Sequence, residues 1–326
     1  MNSIKKMMLS GALGCLISGM AYADGSSPQP VKPYWQDIQV VAVNKEKPRS
    51  SFMSYADRET ALTSRFEKSP YYSLLNGTWK FFFVDSYKDL PQNITDPSVN
   101  TSSWDDITVP GNWEVQGHGV AIYTNHGYEF KPKNPQPPLL PEANPVGVYR
   151  RDIEIPANWD NRDIYLHIGG AKSGLYVYLN GKEVGYSEDS KNPAEFLINK
   201  YLQPGKNVLT LKIFRWSTGS YLECQDFWRM SGIERDVFLW SQPKASIQDF
   251  RVVSTLDDTY TNGIFKLAVD LKNHTQETKN LNVGYELLDA KGNLMASEAN
   301  DIWVSPASPQ TASFEYDLKN VAPWSA

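Results

Sequence analysis

The 326-residue chain has little cysteine, little histidine and no basic block, and each shortage excludes a class of protein. Two cysteines, Cys15 and Cys224, are too few for a disulfide framework or a CxxC metal site. The histidines are widely spread, and neither an HExxH motif nor a glycine-rich phosphate loop is present. A formal net charge of -5 without clustered Lys and Arg argues against nucleic-acid binding.

Apolar runs long enough to cross a bilayer are also missing, since a spanning helix needs about 20 apolar residues. A short apolar run, Met7–Met20, follows two lysines and precedes Ala21-Tyr22-Ala23, an A-x-A cleavage pattern. We therefore predict a signal peptide over residues 1–23, cleaved after Ala23, and a secreted or periplasmic protein. Lipidation of Cys15 is the alternative, although Ala12-Leu13-Gly14 fits the sequence expected before a lipidated cysteine poorly.

Aromatic residues are abundant and make up 13% of the chain. Aromatic side chains favour strands and fill sandwich cores, which is the simpler explanation for any one of them. Some could instead form platforms on which sugars stack. Composition alone leaves both interpretations open.

Short strand patterns separated by Gly, Pro and Asn turns follow one another along the chain, which predicts an all-β fold. Asn180-Gly181 between two apolar runs is a strong hairpin signal, because both residues tolerate the positive φ of a type I′ turn. A short helical turn is expected over Ala194–Leu202. The strand patterns of this first region are 77–84, 148–155, 163–168, 174–179, 182–186, 207–214 and 236–240.

The domain prediction has four parts. An extended, Pro- and Ser-rich arm over 24–50 follows the signal peptide, with Tyr34, Trp35 and Ile38 as residues that could dock it. A jelly-roll, galactose-binding-like β-sandwich is expected over 51–242. An incomplete immunoglobulin-like sandwich is expected over 243–326, with strand patterns at 247–253, 264–271, 281–287 and 313–318.

Two segments do not follow the strand pattern. Six prolines within 131–145 predict a long surface loop, and such loops often carry binding residues. The run Arg215–Asp236 crowds two Trp, three Arg and several acidic residues between strands. Carboxylates that accept hydroxyl hydrogen bonds and aromatic faces that pack on C–H surfaces would suit a sugar site. A network of Arg–carboxylate pairs that fixes a loop is the structural alternative.

Five segments together resemble the N-terminal portion of glycoside hydrolase family 2, especially its large β-galactosidases. They are Pro110–Glu114, Ile122–Asn125, Asn144–Arg150, Gly185–Ser190 and Arg215–Asp236. The resemblance implies a sugar-binding jelly roll, an immunoglobulin-like domain and then a (β/α)₈ barrel that carries two catalytic glutamates. It also implies hydrolysis with retention through a glycosyl-enzyme intermediate. We expect this chain to hold no catalytic residue and to stop inside the second domain, because Trp324-Ser325-Ala326 resembles a segment that closes it.

The resemblance assigns two substrate-binding residues, which would contact a galactose bound in the barrel. Asn125, in Tyr-Thr-Asn, matches an asparagine that contacts galactose, and Asp226, in Gln-Asp-Phe-Trp-Arg, matches an aspartate that also ligates sodium. A hard carboxylate oxygen suits such a cation. A turn-forming Asn and a loop-pairing Asp are the structural alternatives. No cofactor is expected in this chain alone, although sodium and magnesium are implied for the full-length family.

Departures from the family pattern affect one implied metal site. Thr218 stands where relatives often have an Asp that helps bind a peripheral magnesium, which puts that site in doubt. Cys224 stands where an Asp is common and is interpreted as a bystander thiol, and Trp228 and Arg229 are interpreted as structural.

The sequence therefore predicts the front part of a β-galactosidase, with a β-galactoside or oligosaccharide and the catalytic barrel as partners, and no turnover by this chain alone. A free-standing carbohydrate-binding protein, a fragment that assembles with another chain, and a β-glucuronidase or β-mannosidase relative are the alternatives. The oligomeric state is left open, a homo-oligomer included.

Overall fold

A computed structural model describes residues 32–130 and 133–323 of the chain, and the regular structure in these ranges is nearly all β. One short α-helix, α1 (Arg58–Leu62), begins where the Asp57 side chain accepts a hydrogen bond from the Thr60 backbone N–H at 2.8 Å. Seven 3₁₀ turns lie at Tyr34–Gln36, Phe66–Lys68, Tyr87–Asp89, Glu114–Gln116, Ala157–Trp159, Asn199–Tyr201 and Thr218–Tyr221.

The strands up to residue 243 are β1 (Ala42–Val43), β2 (Tyr72–Leu74), β3 (Gly77–Val84), β4 (Asp105–Val109), β5 (Gly111–Asn112), β6 (Ile122–Thr124), β7 (Val146–Glu154), β8 (Arg162–Ile168), β9 (Ala171–Lys172), β10 (Gly174–Leu179), β11 (Lys182–Ser187), β12 (Ala194–Leu197), β13 (Lys206–Phe214), β14 (Phe227–Arg229), β15 (Gly232–Ile233) and β16 (Val237–Pro243). Those after it are β17 (Ala245–Leu256), β18 (Gly263–Asn273), β19 (Lys279–Leu288), β20 (Leu294–Val304) and β21 (Gln310–Leu318).

The first sandwich has a seven-stranded antiparallel sheet in the order β1-β11-β10-β13-β7-β3-β4, which faces a four-stranded sheet in the order β12-β8-β16-β2. Alternation along each strand directs apolar side chains between the two sheets. The core there includes Trp79, Phe81, Tyr149 and Leu211, all at most 1% exposed. Burying such side chains away from water is the main force that holds the two sheets together.

The outer face of the seven-stranded sheet is buried as well. Trp35 of the arm is 1% exposed and stacks on Phe214 with ring centroids 4.9 Å apart. Ile94 and Trp104, from the connection between β3 and β4, cover the same face. The arm is therefore docked by Trp35, as expected, whereas the expectation for Ile38 is wrong, because its side chain is 56% exposed.

Two small antiparallel sheets lie beside the main ones. The three-stranded sheet β5-β15-β9 joins residues near 111, 172 and 233. The other is a ribbon of β6 and β14, in which Phe227 pairs with Thr124, Trp228 with Tyr123 and Arg229 with Ile122. The ribbon is fixed to the end of β13 by Arg215.

In the second sandwich, the three-stranded sheet β17-β18-β21 packs against the hairpin β19-β20. Its core is smaller and holds Phe265, Leu267, Leu271, Val304 and Phe314. This arrangement matches the predicted immunoglobulin-like domain, but β20 was not among the predicted strands. Only Ala296 and Val304 of this strand are buried, so its sequence, LMASEANDIWV, shows little of the apolar alternation that predicts a strand.

A cluster of buried charges joins the arm to both sandwiches and is called the interface cluster here. Both oxygens of Glu195 accept from Arg49, at 2.9 and 2.8 Å. The Oε1 atom also accepts from Trp240 Nε1 at 3.0 Å and lies 2.8 Å from His167 Nδ1. Lys272 of β18 reaches across to the Tyr165 hydroxyl. Ser50, next to Arg49, hydrogen-bonds Asp249 Oδ1 and the Phe250 carbonyl of β17, so the arm is fixed between the two sandwiches.

Most of the predicted elements are present, with one error of type. Asn180 and Gly181 have φ values of 53° and 77°, which confirms the hairpin turn. Residues 194–202 were expected to form a helical turn, but Ala194–Leu197 is strand β12 and only Asn199–Tyr201 is helical. Pairing with β8 satisfies the backbone of 194–197 and overrides the local preference. The predicted loop is confirmed over 133–145, where no helix or strand occurs.

The predicted signal peptide and Cys15 lie outside the described residues. Within the described ranges, no helix is both long and apolar enough to cross a membrane.

Candidate functional site

The ribbon brings together the two residues that the sequence singled out. Asn125 directly follows β6 and Asp226 directly precedes β14, so they occupy the next position beyond the Thr124–Phe227 pair. In an antiparallel register, neighbouring pairs continue opposite one another. Both residues are exposed at this open end. Two segments about a hundred residues apart thus present an amide and a carboxylate side by side.

Each of the two side chains has a neighbour that orients it. The Tyr123 hydroxyl donates a 2.7 Å hydrogen bond to Asp226 Oδ1. This hydrogen bond, together with the negative charge of Asp226, raises the pKa of Tyr123. The Asn125 Oδ1 atom lies 2.7 Å from His126 Nδ1. A protonated Nδ1 of His126 would leave the amide NH₂ of Asn125 free to donate to a ligand.

An exposed aromatic pair borders the carboxylate. The rings of Tyr123 and Trp228 are 5.7 Å apart, and their side chains are 55% and 53% exposed. The interpretation of Trp228 as structural fits its place in β14 and its contact with the Tyr123 ring. Because both rings are more than half exposed, their faces can also pack against an apolar surface beside Asp226.

Arg215 links a residue that lies shortly before β6 to the last residue of β14. Its Nη2 atom donates to the Val120 carbonyl at 2.8 Å and to the Arg229 carbonyl at 3.1 Å. Its Nη1 atom lies 3.7 Å from Glu114 Oε1, while both Glu114 oxygens accept from the Ser231 backbone N–H at 3.0 and 2.9 Å. Burial raises the pKa of Glu114 despite these interactions.

A second group of buried charges lies under the ribbon and is called the site-end cluster here. It consists of Glu129, Lys172, Glu223 and Arg229. Glu129 Oε1 accepts from Trp216 Nε1 at 3.0 Å and lies 4.0 Å from Lys172 Nζ. Arg229 is completely buried, and its interpretation as a structural residue fits this position. Burial raises the pKa of Glu223 and lowers that of Lys172.

The two explanations of the run Arg215–Asp236 therefore apply to different residues. Arg215 and Arg229 are structural, as the alternative held, but their carboxylate neighbours, Glu114 and Glu129, lie outside the run. Asp226 is among the exposed residues of the run and lies at the open end of the ribbon. Sequence reasoning assigned no role to Glu114, Tyr123 or Glu129. Glu114 and Tyr123 lie inside the resembling segments, but their contacts depend on strand register, and Glu129 lies outside all of those segments.

The side chains at the implied magnesium position hydrogen-bond one another. Thr218 is buried, and its hydroxyl donates to Glu188 Oε1 at 2.7 Å, while the Tyr186 hydroxyl donates to Oε2 at 2.9 Å. Within the described ranges, no group of three or more His, Cys, Asp or Glu side chains could hold a metal ion. These residues do not fit a magnesium site as they stand.

Asp226 offers one hard carboxylate ligand for sodium and would need further oxygen ligands. Cys224, two residues before it, is a half-exposed free thiol.

A pocket of about 350 Å³ lies at the interface cluster. Its lining includes Glu46, Arg49, Trp240 and Lys272. Arg49 is bound to Glu195 and stacks 4.3 Å from the Trp240 ring centre. Because the charged side chains that line this pocket pair with neighbouring protein groups, we interpret it as a junction between domains and not as a ligand site.

Comparison with known families gives two adjoining matches. The family described as "Glycosyl hydrolases family 2, sugar binding domain" matches residues 72–243, and "Glycosyl hydrolases family 2" matches residues 245–326.

Among curated relatives, the β-galactosidase of Priestia megaterium is 37% identical over 298 residues, which cover 90% of this chain and 29% of that protein. The β-galactosidase of Halalkalibacterium halodurans is 38% identical over 267 residues, 80% of this chain and 26% of that protein. The chain thus spans between a quarter and a third of the length of these relatives.

Among solved structures, a β-glucuronidase of Bacteroides uniformis matches with a TM-score of 0.63 at 20% identity, over 78% of this chain and 28% of that one. A Bifidobacterium dentium β-glucuronidase matches with a TM-score of 0.58 at 18% identity, over 78% and 42%. At this identity the likeness shows the fold alone.

Proposed function

Since the chain belongs to glycoside hydrolase family 2, we propose that it is the N-terminal, sugar-binding portion of a β-galactosidase. In this role Asn125 and Asp226 hydrogen-bond hydroxyl groups of a terminal, non-reducing β-D-galactose. The single observation that supports this most is the antiparallel register of β6 and β14, which brings the two residues together at an exposed end.

The chemistry of the ribbon end suits a sugar. The carboxylate of Asp226 accepts hydrogen bonds from hydroxyl groups, and the Asn125 amide can both donate and accept. The exposed Tyr123 and Trp228 rings can pack against sugar C–H groups or against the protein that encloses the sugar. The sugar is proposed to be galactose and not glucuronate, because the curated relatives are β-galactosidases.

Binding and bond cleavage are divided in this proposal. This chain contributes ligand contacts and no catalytic residue, and a (β/α)₈ barrel would supply the acid/base and nucleophile carboxylates. Asp226 would also provide one ligand to a sodium ion, with the other ligands from the barrel.

Export and cleavage after Ala23 are part of the same proposal, with a secreted or periplasmic location. Lipidation at Cys15 is the less favoured form.

A free-standing carbohydrate-binding protein is the second candidate. The exposed Tyr123–Trp228 pair beside Asp226 favours it, because aromatic faces next to a carboxylate can hold a sugar without a second domain. It predicts that calorimetry will detect galactoside binding to this chain alone. A flat titration at millimolar galactoside would count against it.

A chimera tests the main proposal. The matched region of the Priestia megaterium β-galactosidase would be replaced by this chain, and hydrolysis of a chromogenic β-galactoside measured. We expect an active chimera in which Asn125→Ala and Asp226→Asn each lower kcat/KM by roughly 10- to 100-fold, as the loss of a hydrogen bond to a charged or polar ligand group would. Asn300→Ala and Asp301→Asn, on the exposed strand β20, are matched controls and should change nothing.

Two outcomes would contradict the proposal. One is an active chimera in which the Asn125 and Asp226 variants keep full activity. The other is hydrolysis by the 326-residue chain alone that disappears with Asp226→Ala.

A further inference from the structure

Glu129 is a buried carboxylate on the loop that carries Asn125. It lies four positions after Asn125, and its side chain is 5% exposed. Its Oε1 atom accepts the Trp216 indole N–H at 3.0 Å. Burying a carboxylate costs free energy unless partners compensate, so such a residue needs an explanation.

The partners of Glu129 come from the other side of the candidate site. Glu129 Oε2 lies 3.9 Å from Nε of Arg229, which is three positions after Asp226 on β14. Arg229 is completely buried, and its Nη1 atom donates to the Glu223 carbonyl at 2.6 Å. Glu129 thus connects the loop of Asn125 to the strand that follows Asp226.

The ribbon needs such a connection, because it is short. Its two strands share three residue pairs, and an isolated two-stranded ribbon is marginal in water. The loop after Asn125 is fixed near Glu129 by rings: Phe130 packs 5.5 Å from Trp216, and Tyr128 packs 4.9 Å from Tyr221.

The negative charge of Glu129 balances positive charge in the site-end cluster. Two buried cations, Lys172 and Arg229, face the carboxylates of Glu129 and Glu223. Removing Glu129 leaves an excess positive charge in a low-dielectric site and takes away the attraction between the loop and Arg229 of β14. An uncharged acceptor at the same place would keep only the Trp216 hydrogen bond.

We propose that Glu129 is a positioning residue that holds the Asn125 loop onto strand β14, so that Asn125 and Asp226 keep their mutual placement. Its relevance to substrate rests on the proposed function of these two residues. The mutual placement of Asn125 and Asp226 does not depend on the proposed function, and it can be tested without any sugar.

Hydrogen–deuterium exchange on the purified chain tests the placement. We expect Glu129→Ala to speed exchange by about tenfold or more in 122–130 and 226–230, because those segments lose a shared anchor. Strand β13, residues 206–214, should be unaffected. Glu129→Gln should restore part of the protection, and Glu142→Gln, an exposed carboxylate on the same connection that pairs with Lys88, should match the wild type.

Unchanged exchange in both segments with Glu129→Ala would overturn the inference. An equal rise in β13 would also overturn it, because Glu129 would then support the whole sandwich. If Glu129→Ala does not fold, the same criteria apply to Glu129→Gln, which keeps the size and the Trp216 acceptor.

Kinetics of the chimera separate this inference from the proposed function. Faster exchange in 122–130 and 226–230, together with a kcat/KM about tenfold lower that Glu129→Gln partly restores, supports both the anchoring by Glu129 and the proposed function. Looser segments with unchanged kcat/KM support the anchoring by Glu129 and contradict the substrate role of Asn125 and Asp226.

Discussion

The interface cluster and the site-end cluster both bury charges, but they satisfy them differently. At the interface, Glu195 receives hydrogen bonds from Arg49 and Trp240 and contacts His167, all at 3.0 Å or less. At the site end, the carboxylate–cation distances of Glu129 are 3.9 and 4.0 Å. Arg229 Nε and Nη2 form no hydrogen bond within the described ranges.

The pKa shifts point in opposite directions. Burial tends to raise the pKa of Glu195, but hydrogen bonds from His167 and Arg49 and the charge of Arg49 outweigh it, so the pKa is lowered. Burial prevails at Glu223, whose pKa is raised. The partners of Glu195 therefore outweigh the effect of its burial at the junction of the arm and sandwiches, whereas those of Glu223 at the ribbon do not.

The largest effect should come from the better satisfied cluster. Glu195→Ala leaves buried donors of Arg49 and Trp240 without an acceptor and should lower the free energy of unfolding by about 3–5 kcal/mol. Urea unfolding followed by fluorescence measures it. The exposed Glu298→Ala on β20 is the control. A loss below about 1 kcal/mol would remove the distinction between the clusters.

Glu129→Ala should cost less, about 1–2 kcal/mol, because its ion pairs are long and one hydrogen bond, from Trp216, is lost. The same urea titration measures it beside Glu195→Ala. Equal losses for the two variants would show that hydrogen-bond saturation does not decide the stability contribution.

Opposite pH dependences would sharpen the comparison further. The lowered pKa of Glu195 gives stability that is present above its ordinary value of 4.5 and lost as the pH falls through the folded value. The raised pKa of Glu223 gives stability that is present below 4.5 and lost as the pH rises through its folded value.

Unfolding titrations between pH 7 and 3 test this prediction. The deficit of Glu195→Gln against the wild type should shrink below pH 4.5, while Glu223→Gln should gain on the wild type as the pH rises above 4.5. Parallel pH curves for the two variants would show that both clusters treat charge alike.

The smallest effect on stability is expected at the exposed ribbon end. Tyr123→Phe removes the hydrogen bond to Asp226 and should leave the melting temperature unchanged, since both groups are exposed. In the chimera it should lower kcat/KM several-fold, by loosening Asp226. A clear drop in melting temperature would show that this hydrogen bond belongs to the folding core.

Local pattern was enough to predict the sandwich architecture, because strands with one buried face alternate visibly and Asn180-Gly181 specifies its own turn. It failed at Ala194–Leu197, where pairing with β8 decided the structure, and at β20, where few side chains are buried. Motif resemblance identified Asn125 and Asp226. Their supporting residue Glu129 could not be found, because its partners depend on the register of distant strands.

The ribbon also has a consequence for the order of folding. Tyr123 and Asp226 are 103 positions apart, so closing this contact costs more chain entropy than any local hairpin does. Strands β7 to β13 lie between them and can pair first. We therefore expect the ribbon to form late, after the seven-stranded sheet, and a chain still emerging from the ribosome to be β-rich before Asn125 and Asp226 come together. The close Tyr123–Trp228 ring pair provides a natural optical reporter of that last step.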